Sequence, residues 1–177
     1  MTNMRPMIAG IALLVLVSGL SAQDKVNPVM DLKGKAFPEF KMKTLDEKEF
    51  SNKDFKDKIT VINFWATWCS PEKAGIATLQ KIHAEMKDQE VQMIGANTFE
   101  RGVEGALDNG PKTAAEFVAE NKVTYTNTYG NTDLALELGV RTIPTFVIID
   151  KAGVVREVLV GFDEKKLRAA IDALKSD

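Results

Sequence analysis

Hydrophobic residues in this chain form short unbroken runs as well as longer stretches with a helical period. The clearest unbroken run covers residues 59–65, in which only Thr60 and Asn63 are polar. A short run rich in β-branched residues is typical of a strand that is buried on both faces. A second run of this kind predicts another buried strand over residues 91–96.

A helix is predicted directly after the first of these strands. Ser70 is a suitable N-cap, and Pro71 fits the first helical position because its missing N–H needs no partner there. Four apolar residues then recur at helical spacing, namely Ile76, Leu79, Ile82 and Met86. The same kind of pattern predicts three further helices, over residues 111–121, 132–138 and 163–174.

Weaker strand patterns occur on both sides of this central part. Two short strands are predicted around a turn at residues 46–48, and another short strand over 123–125. Residues 144–149 and 154–160 form a predicted hairpin. Residues 98–110 are predicted as a loop or insertion. Strands that alternate with helices and end in a hairpin indicate an α/β sandwich with a mixed central sheet flanked by helices.

Residues 1–22 have the pattern of a secretory signal peptide. Arg5 supplies a positive charge, residues 7–20 are mostly apolar and uncharged, and Ser21 and Ala22 are small. The apolar run is shorter than the roughly 20 residues of a spanning helix, so an uncleaved anchor fits less well. Cleavage predicts an exported protein, periplasmic or extracellular, with no stable membrane insertion.

Composition and charge narrow the possible classes of function. A chain of 177 residues with 45% hydrophobic content suits one domain with a sizeable core. We predict a mobile lead-in at residues 23–33 and a single domain at 34–177. The net charge is −2 and there is no long basic run, so nucleic acid is not expected as a partner. Nothing in the sequence predicts an oligomeric state.

The only cysteine of the chain, Cys69, lies where the predicted strand meets the predicted helix. A helix N-terminus favours the thiolate, whereas the carboxylate of Glu72 within one turn disfavours it. The sign of the pKa shift therefore stays open. A single cysteine forms no internal disulfide, so it is a reactive thiol or a buried and inert one.

Three separate stretches of the chain resemble one known family. They are residues 34–40, which read GKAFPEF, residues 61–69, which read VINFWATWC, and residues 139–146, which read GVRTIPTF. These stretches are similar to the thioredoxin superfamily, and most of all to its exported TlpA/ResA-like branch. The resemblance implies a thioredoxin-like sandwich that carries out thiol–disulfide exchange, with a cis-proline at Pro144.

The chain departs from the family pattern at three positions that carry chemistry. The resolving cysteine of the family falls on Glu72, its buried strand acid on Asn63, and the glutamate typical of the branch on Gly75. The resemblance therefore implies monothiol exchange through Cys69, with an external thiol to release it. Glu72 is a candidate general base. The alternative is a non-catalytic binding module that keeps the fold and has lost the chemistry.

The resemblance also implies where a partner would dock. Trp68, Ile143 and Pro144 would bind an extended segment beside Cys69, and the partner would be a protein or small-molecule thiol or disulfide. Trp65 is predicted to pack in the core. A one-cysteine peroxidase fits poorly, because the proline and threonine of that signature are replaced. These two positions hold Ile62 and Ala66.

The remaining polar residues give weaker signals. His83, the only histidine, is predicted at a helix border, and Cys69 with Glu72 gives too few ligands for zinc. We therefore predict no metal and no cofactor. Arg141 is predicted to be a surface cation rather than a helper near the active-site groove. The charges of the loop residues Glu100, Arg101 and Glu104 are predicted to face solvent, and a partner-specific surface is the alternative for this loop.

Overall fold

The computed structural model of the chain describes residues 28–86, 89–101 and 110–175. The predicted signal peptide at 1–22 lies outside these ranges. Within them, no helix is both long and apolar enough to cross a membrane.

The described strands form one mixed seven-stranded sheet in the order β2-β1-β5-β4-β3-β6-β7. They are β1 (Lys41–Thr44), β2 (Glu49–Ser51), β3 (Ile59–Trp65), β4 (Val91–Asn97), β5 (Thr126–Tyr129), β6 (Thr145–Ile149) and β7 (Val155–Val160).

Four α-helices flank this sheet in the described part of the chain. They are α1 (Ser70–Met86), α2 (Lys112–Glu120), α3 (Thr132–Glu137) and α4 (Glu164–Lys175), and two short 3₁₀ helices cover Pro28–Leu32 and Asn52–Phe55. The predicted fold class, a thioredoxin-like α/β sandwich with a mixed sheet, is confirmed.

The central strand β3 positions the predicted site. It pairs in parallel with β4 and antiparallel with β6, and each of its residues is buried. Its alternating side chains enter two cores. Ile62 and Phe64 pack in the core on one face of the sheet, while Ile59 and Val61 pack in the core on the other face. The second core also holds the apolar side of α1, so β3 and α1 are fixed against each other.

One short strand differs from its prediction. The sequence placed it at residues 123–125, but β5 begins at Thr126 and contains the buried polar residues Asn127 and Thr128. Thr128 Oγ1 donates to the Gly95 carbonyl at 3.2 Å, and Asn127 Nδ2 donates to the Tyr125 carbonyl at 3.0 Å. These side-chain hydrogen bonds let a polar segment occupy a buried strand position.

The packed domain extends towards the N-terminus beyond Gly34. The 3₁₀ helix Pro28–Leu32 lies in the predicted lead-in, and Val29 within it is fully buried. This segment packs against the end of α3 at Gly139, which has a φ of +80°. A Cβ at Gly139 would lie 2.6 Å from Pro28 Cβ, so both the backbone and the close approach require glycine there.

Candidate functional site

Cys69 lies in the short connection between β3 and α1. Its N–H donates to the Ala66 carbonyl at 3.0 Å, and its own carbonyl accepts from the Lys73 N–H at 3.1 Å. The second bond is the first of the helical pattern, so Cys69 occupies the capping position that the sequence had assigned to Ser70. The chain thereby holds the cysteine at the positive end of α1.

The thiol of Cys69 faces the loop before β6. Its Sγ donates to the carbonyl oxygen of Ile143 at 3.5 Å. The peptide bond between Ile143 and Pro144 is cis, as the resemblance implied. Cys69 is 4% exposed, while Trp68 beside it is 38% exposed. The turn is therefore accessible, but the thiol itself points inward.

The pKa of the Cys69 thiol is raised above its ordinary value. Burial is the main cause, and the negative charge of Glu72 adds to it. The backbone N–H of Glu72 acts in the opposite direction by hydrogen bonding to the sulfur. Desolvation therefore raises the pKa of Cys69 more than the helix N-terminus lowers it. The sequence alone left the direction of this pKa shift open.

Glu72 is fully buried on the side of α1 that faces the sheet. Asn63 Nδ2 donates to Glu72 Oε1 at 2.9 Å. Within the described part of the chain, Glu72 Oε2 and Asn63 Oδ1 have no hydrogen-bond partner. Burial raises the pKa of the Glu72 carboxyl to about 7, against the opposing effect of the Asn63 hydrogen bond. This carboxyl therefore changes its protonation state near neutral pH.

One aromatic residue interacts electrostatically with the buried carboxyl. Tyr125 is buried, and burial together with the charge of Glu72 raises the pKa of its hydroxyl. The half-buried His83 packs its ring edge-on against Tyr125, with the ring centroids 5.7 Å apart. His83 thus lies at a helix border, as predicted. Trp65 is buried and packs against Phe117, as predicted for a core residue.

Gly75 lies one turn after Glu72 on α1 and is buried. A Cβ at this position would lie 2.7 Å from Cδ1 of Phe162. The ring of Phe162 therefore fills the space that a longer side chain at position 75 would need. Glu72 is the only carboxylate that the first two turns of α1 carry.

The prediction that Glu100 faces solvent is wrong, because this residue is only 1% exposed. Its Oε2 accepts from the Thr67 N–H at 2.9 Å and from Asn97 Nδ2 at 2.8 Å, and its Oε1 accepts from Thr67 Oγ1 at 2.7 Å. This carboxylate ties the loop after β4 to the turn that precedes Cys69. Glu104 lies outside the described residues.

The same loop also holds Trp68 in place. Trp68 Nε1 donates to the Phe99 carbonyl at 2.8 Å. The guanidinium of Arg101 lies over the Trp68 ring, 4.2 Å from its centroid. Arg101 is exposed, as predicted, but it contacts a predicted docking residue, which no motif in the sequence indicates.

An open groove of about 520 Å³ runs beside the thiol. Two aromatic rings, two arginine side chains, one leucine and the residues before Pro144 line this groove. These residues are Trp68, Phe99, Arg101, Leu136, Arg141, Thr142 and Ile143. The predicted docking residues Trp68 and Ile143 thus meet at one surface, while Pro144 is buried behind them. Arg141 is exposed as predicted, and it also lines the groove. In the described ranges, no group of three or more His, Cys, Asp or Glu residues is placed to hold a metal ion.

The chain is similar in sequence to known thioredoxin-like proteins. The chain is 27% identical over 163 residues to the thioredoxin-like protein YneN of Bacillus subtilis (strain 168), which covers 90% of this chain and 92% of that protein. It is 26% identical over 151 residues to the thiol-disulfide oxidoreductase ResA of Oceanobacillus iheyensis, covering 82% and 72% of the two chains.

The fold is similar to that of known structures as well. The crystal structure of a DsbF homologue from Corynebacterium diphtheriae matches with a TM-score of 0.67 and 28% identity, covering 79% of this chain and 87% of that one. Residues 33–158 match the model of the AhpC/TSA family. The chain therefore belongs to the AhpC/TSA family, with a thioredoxin-like fold of the kind found in thiol–disulfide oxidoreductases.

Proposed function

We propose that this protein carries out monothiol thiol–disulfide exchange through Cys69. The observation that carries the proposal is the position of Cys69 Sγ, 3.5 Å from the Ile143 carbonyl oxygen at the edge of the groove. A partner segment in this groove would bring its sulfur towards a thiol that lies just beneath the surface, between α1 and the loop before β6.

The reaction has two balanced steps. The Cys69 sulfur loses its proton and attacks one sulfur of a partner disulfide, so that the partner's S–S bond breaks and a new S–S bond to Cys69 forms. The second partner sulfur leaves as a thiolate and takes up a proton. An external thiol then loses its proton and attacks the partner sulfur of the mixed disulfide, so that a new S–S bond joins the partner to the external thiol. The bond to Cys69 breaks, and the Cys69 sulfur leaves as a thiolate and takes up a proton. No oxidant is consumed beyond the partner disulfide itself.

The need for an external thiol follows from the residues around Cys69. Cys69 is the only cysteine, and Glu72 stands at the position of the family's resolving cysteine. Asn63 and Gly75 stand where the family places acids. A chain with this constellation forms a mixed disulfide but has no second thiol with which to release it.

The raised pKa of Cys69 favours a long-lived mixed disulfide over rapid turnover. A thiol with a high pKa is mostly protonated at neutral pH, so its attack on a disulfide is slow. It is also a poor leaving group, so an external thiol displaces it slowly once the mixed disulfide has formed. Burial of Cys69 slows both steps further by restricting access.

Glu72 is proposed as the proton acceptor for Cys69. When the Glu72 carboxylate takes the proton of the thiol, the pair still carries one negative charge, so the thiolate forms without a second like charge beside it. A carboxyl with a pKa of about 7 is suited to accept and return a proton at neutral pH. The charge of Glu72 raises the pKa of Cys69, so the titrations of the two groups are linked.

Docking would use the backbone before Pro144 together with Trp68. Within the described ranges, the N–H of Ile143 donates no hydrogen bond, while its carbonyl accepts only from Cys69. An extended partner segment can pair with such backbone groups, as in strand addition. The exposed ring of Trp68 supplies apolar contact area on the other side of the thiol.

The signal peptide predicted at residues 1–22 supports an exported location, where a partner disulfide can persist. Peroxidase chemistry has less support, although the chain belongs to the AhpC/TSA family. The two positions of the peroxidase signature hold Ile62, which is buried in the core, and Ala66, which carries no hydroxyl. Neither side chain can bind and polarise a peroxide.

The resolution step is tested by adding a second thiol to the chain. The native protein and the variant Glu72→Cys are first joined through Cys69 to a small neutral thiol, and release is followed by intact mass without added reductant. We expect Glu72→Cys to release the small thiol within minutes by forming an internal disulfide, while the native adduct persists until an external thiol is added.

The matched control is Lys81→Cys, which places an exposed thiol on α1 twelve residues after Cys69. At roughly 1.5 Å per residue this thiol is about 18 Å further along the helix, so its adduct should persist like that of the native protein. Release of the native adduct without any added thiol would contradict the monothiol mechanism.

A further inference from the structure

We propose that the groove beside Cys69 selects a partner protein through an extended segment in which acidic residues flank the reacting cysteine. This inference rests on the proposed function and adds to it the chemical class of the partner. It is carried by the charges of the groove, which are positive on both sides of Trp68 and Ile143 although the whole chain has a net charge of −2.

Arg101 supplies the first charge, at the Trp68 side of the groove. Its guanidinium stacks 4.2 Å from the centroid of the Trp68 ring. Stacking leaves the edge of the guanidinium, with its N–H donors, available for a carboxylate. In the part of the chain that the structure describes, the Arg101 side chain forms no ion pair. Its charge is therefore presented to a ligand in a fixed position.

Arg141 supplies the second charge, next to Thr142 and Ile143. Its Nη1 donates to the carbonyls of Leu136 and Val140, both at 3.0 Å. These bonds use the two hydrogens of Nη1 and hold the side chain at the end of α3. The Nε and Nη2 hydrogens have no partner in the described ranges, so they can form a bidentate pair with a carboxylate.

No carboxylate among the described residues lining the groove neutralises these two arginines. Glu100 precedes Arg101 in the chain, but its carboxylate is buried and accepts hydrogen bonds from Thr67 and Asn97. Glu137 follows Leu136 on α3 and is exposed outside the lining. The two guanidinium groups therefore make the electrostatic potential in the groove positive. A negatively charged partner segment is complementary to this potential.

The shape of the groove favours a peptide segment over a small ion. Trp68 and Leu136, which are 38% and 43% exposed, offer apolar contact area that a free carboxylate cannot use. The open volume of about 520 Å³ accommodates several residues of an extended chain. The occupant is therefore a partner segment with acidic residues around its cysteine and an apolar residue for Trp68.

The test compares three peptide disulfides that differ only in the residues flanking one cysteine. Each cysteine is joined to thiopyridine, and the flanking residues are two glutamates, two glutamines or two lysines. Formation of the mixed disulfide with Cys69 of the native protein is followed by release of the thiopyridine. We expect the acidic peptide to react about tenfold faster than the neutral one at low salt, and the basic peptide to react more slowly still.

Two variants assign the effect to the arginines. The double variant Arg101→Gln with Arg141→Gln should react with all three peptides at similar rates, while Arg101→Lys with Arg141→Lys should keep most of the preference. Lys165→Gln, which removes an exposed charge from α4, is the control and should leave the preference unchanged. At 1 M salt, where the Debye length is about 3 Å, the preference of the native protein should largely disappear.

Each other outcome overturns a defined part of the account. Equal rates for the three peptides would overturn the charge selection while leaving the exchange reaction in place. An anionic disulfide without a peptide backbone that reacts as fast as the acidic peptide would overturn the assignment to a partner segment. If no peptide forms an adduct with native Cys69, the proposed function itself fails.

Discussion

The amide of Asn63 and the carboxyl of Glu72 meet inside the core, with Nδ2 and Oε1 at 2.9 Å. The amide comes from the central strand β3 and the carboxyl from the first turn of α1, three residues after Cys69. The resemblance to thioredoxins implies a buried acid at the strand position and a second thiol at the helix position. Here the carboxyl occupies the helix position, and a neutral amide on the strand holds it.

The first prediction concerns the pH profile of Cys69 alkylation by neutral iodoacetamide. In the native protein the coupled pair loses its first proton near pH 7, so the rate should show a step there and a second rise at higher pH. In Glu72→Gln the step near pH 7 should disappear. The alkylation rate of this variant should show a single rise, at a lower pH than the second rise of the native protein, because the negative charge of Glu72 has been removed.

Glu120→Gln, which removes an exposed carboxylate from α2, is the matched control and should reproduce the native profile. If Glu72→Gln and the native protein gave the same profile, Glu72 would have no part in the titration of Cys69.

The second prediction concerns stability and pH. The pKa of Glu72 is about 7 in the folded protein, above the ordinary 4.5, so the folded state binds more protons between these two values. The free energy of unfolding should therefore fall as the pH rises from about 4.5 to 7, and this contribution should stay lost above 7. At 1.36 kcal/mol per pKa unit, the loss due to Glu72 is about 3 kcal/mol.

Urea unfolding of the native protein and of Glu72→Gln at pH 5 and pH 8 isolates this contribution. Glutamine imitates the protonated acid, so the two proteins should be similar at pH 5, and the variant should be the more stable one at pH 8. An equal difference between them at both pH values would show that Glu72 does not titrate in this window.

Most of the fold was predictable because it depends on local patterns. The run that forms β3 and the apolar spacing of α1 determine their own structures, and the turn residues of the β6–β7 hairpin do the same. The strand at 126–129 escaped prediction because its polar residues are buried by partners from other strands, such as the Gly95 carbonyl that accepts from Thr128. Such partners are invisible to a pattern that considers only neighbours in the sequence.

The candidate site was predictable in part for the same reason. The motifs around Cys69 and Pro144 indicated which segments meet. They did not show that burial raises the pKa of the thiol more than the helix N-terminus lowers it. Glu100 was misjudged because its acceptor role depends on Thr67, which lies 33 positions earlier. A glutamate in a polar loop gives no sign of such a distant partner.

The third prediction follows from this buried carboxylate. Glu100→Ala removes the acceptor of two half-buried Thr67 groups and of the buried Asn97 amide, and it leaves these donors without that partner. We expect a loss of about 3 kcal/mol in the free energy of unfolding, since each unsatisfied buried donor costs about 1–3 kcal/mol, partly relieved by relaxation. Chemical denaturation measures this loss.

Glu116→Ala removes an exposed carboxylate from α2 and should cost well under 1 kcal/mol. A similar cost for both variants would mean that Glu100 does not anchor the loop to the turn before Cys69.

The central claim is that the folded protein captures a partner sulfur on Cys69, and intact mass spectrometry tests it most directly. The folded protein is incubated at pH 8 with an excess of a small neutral disulfide, beside a Cys69→Ser variant and a sample unfolded in urea. We predict one added half-disulfide on the folded native protein and none on the variant. An adduct that forms in urea but never on the folded protein would contradict the account, because Cys69 would then be an inert core residue.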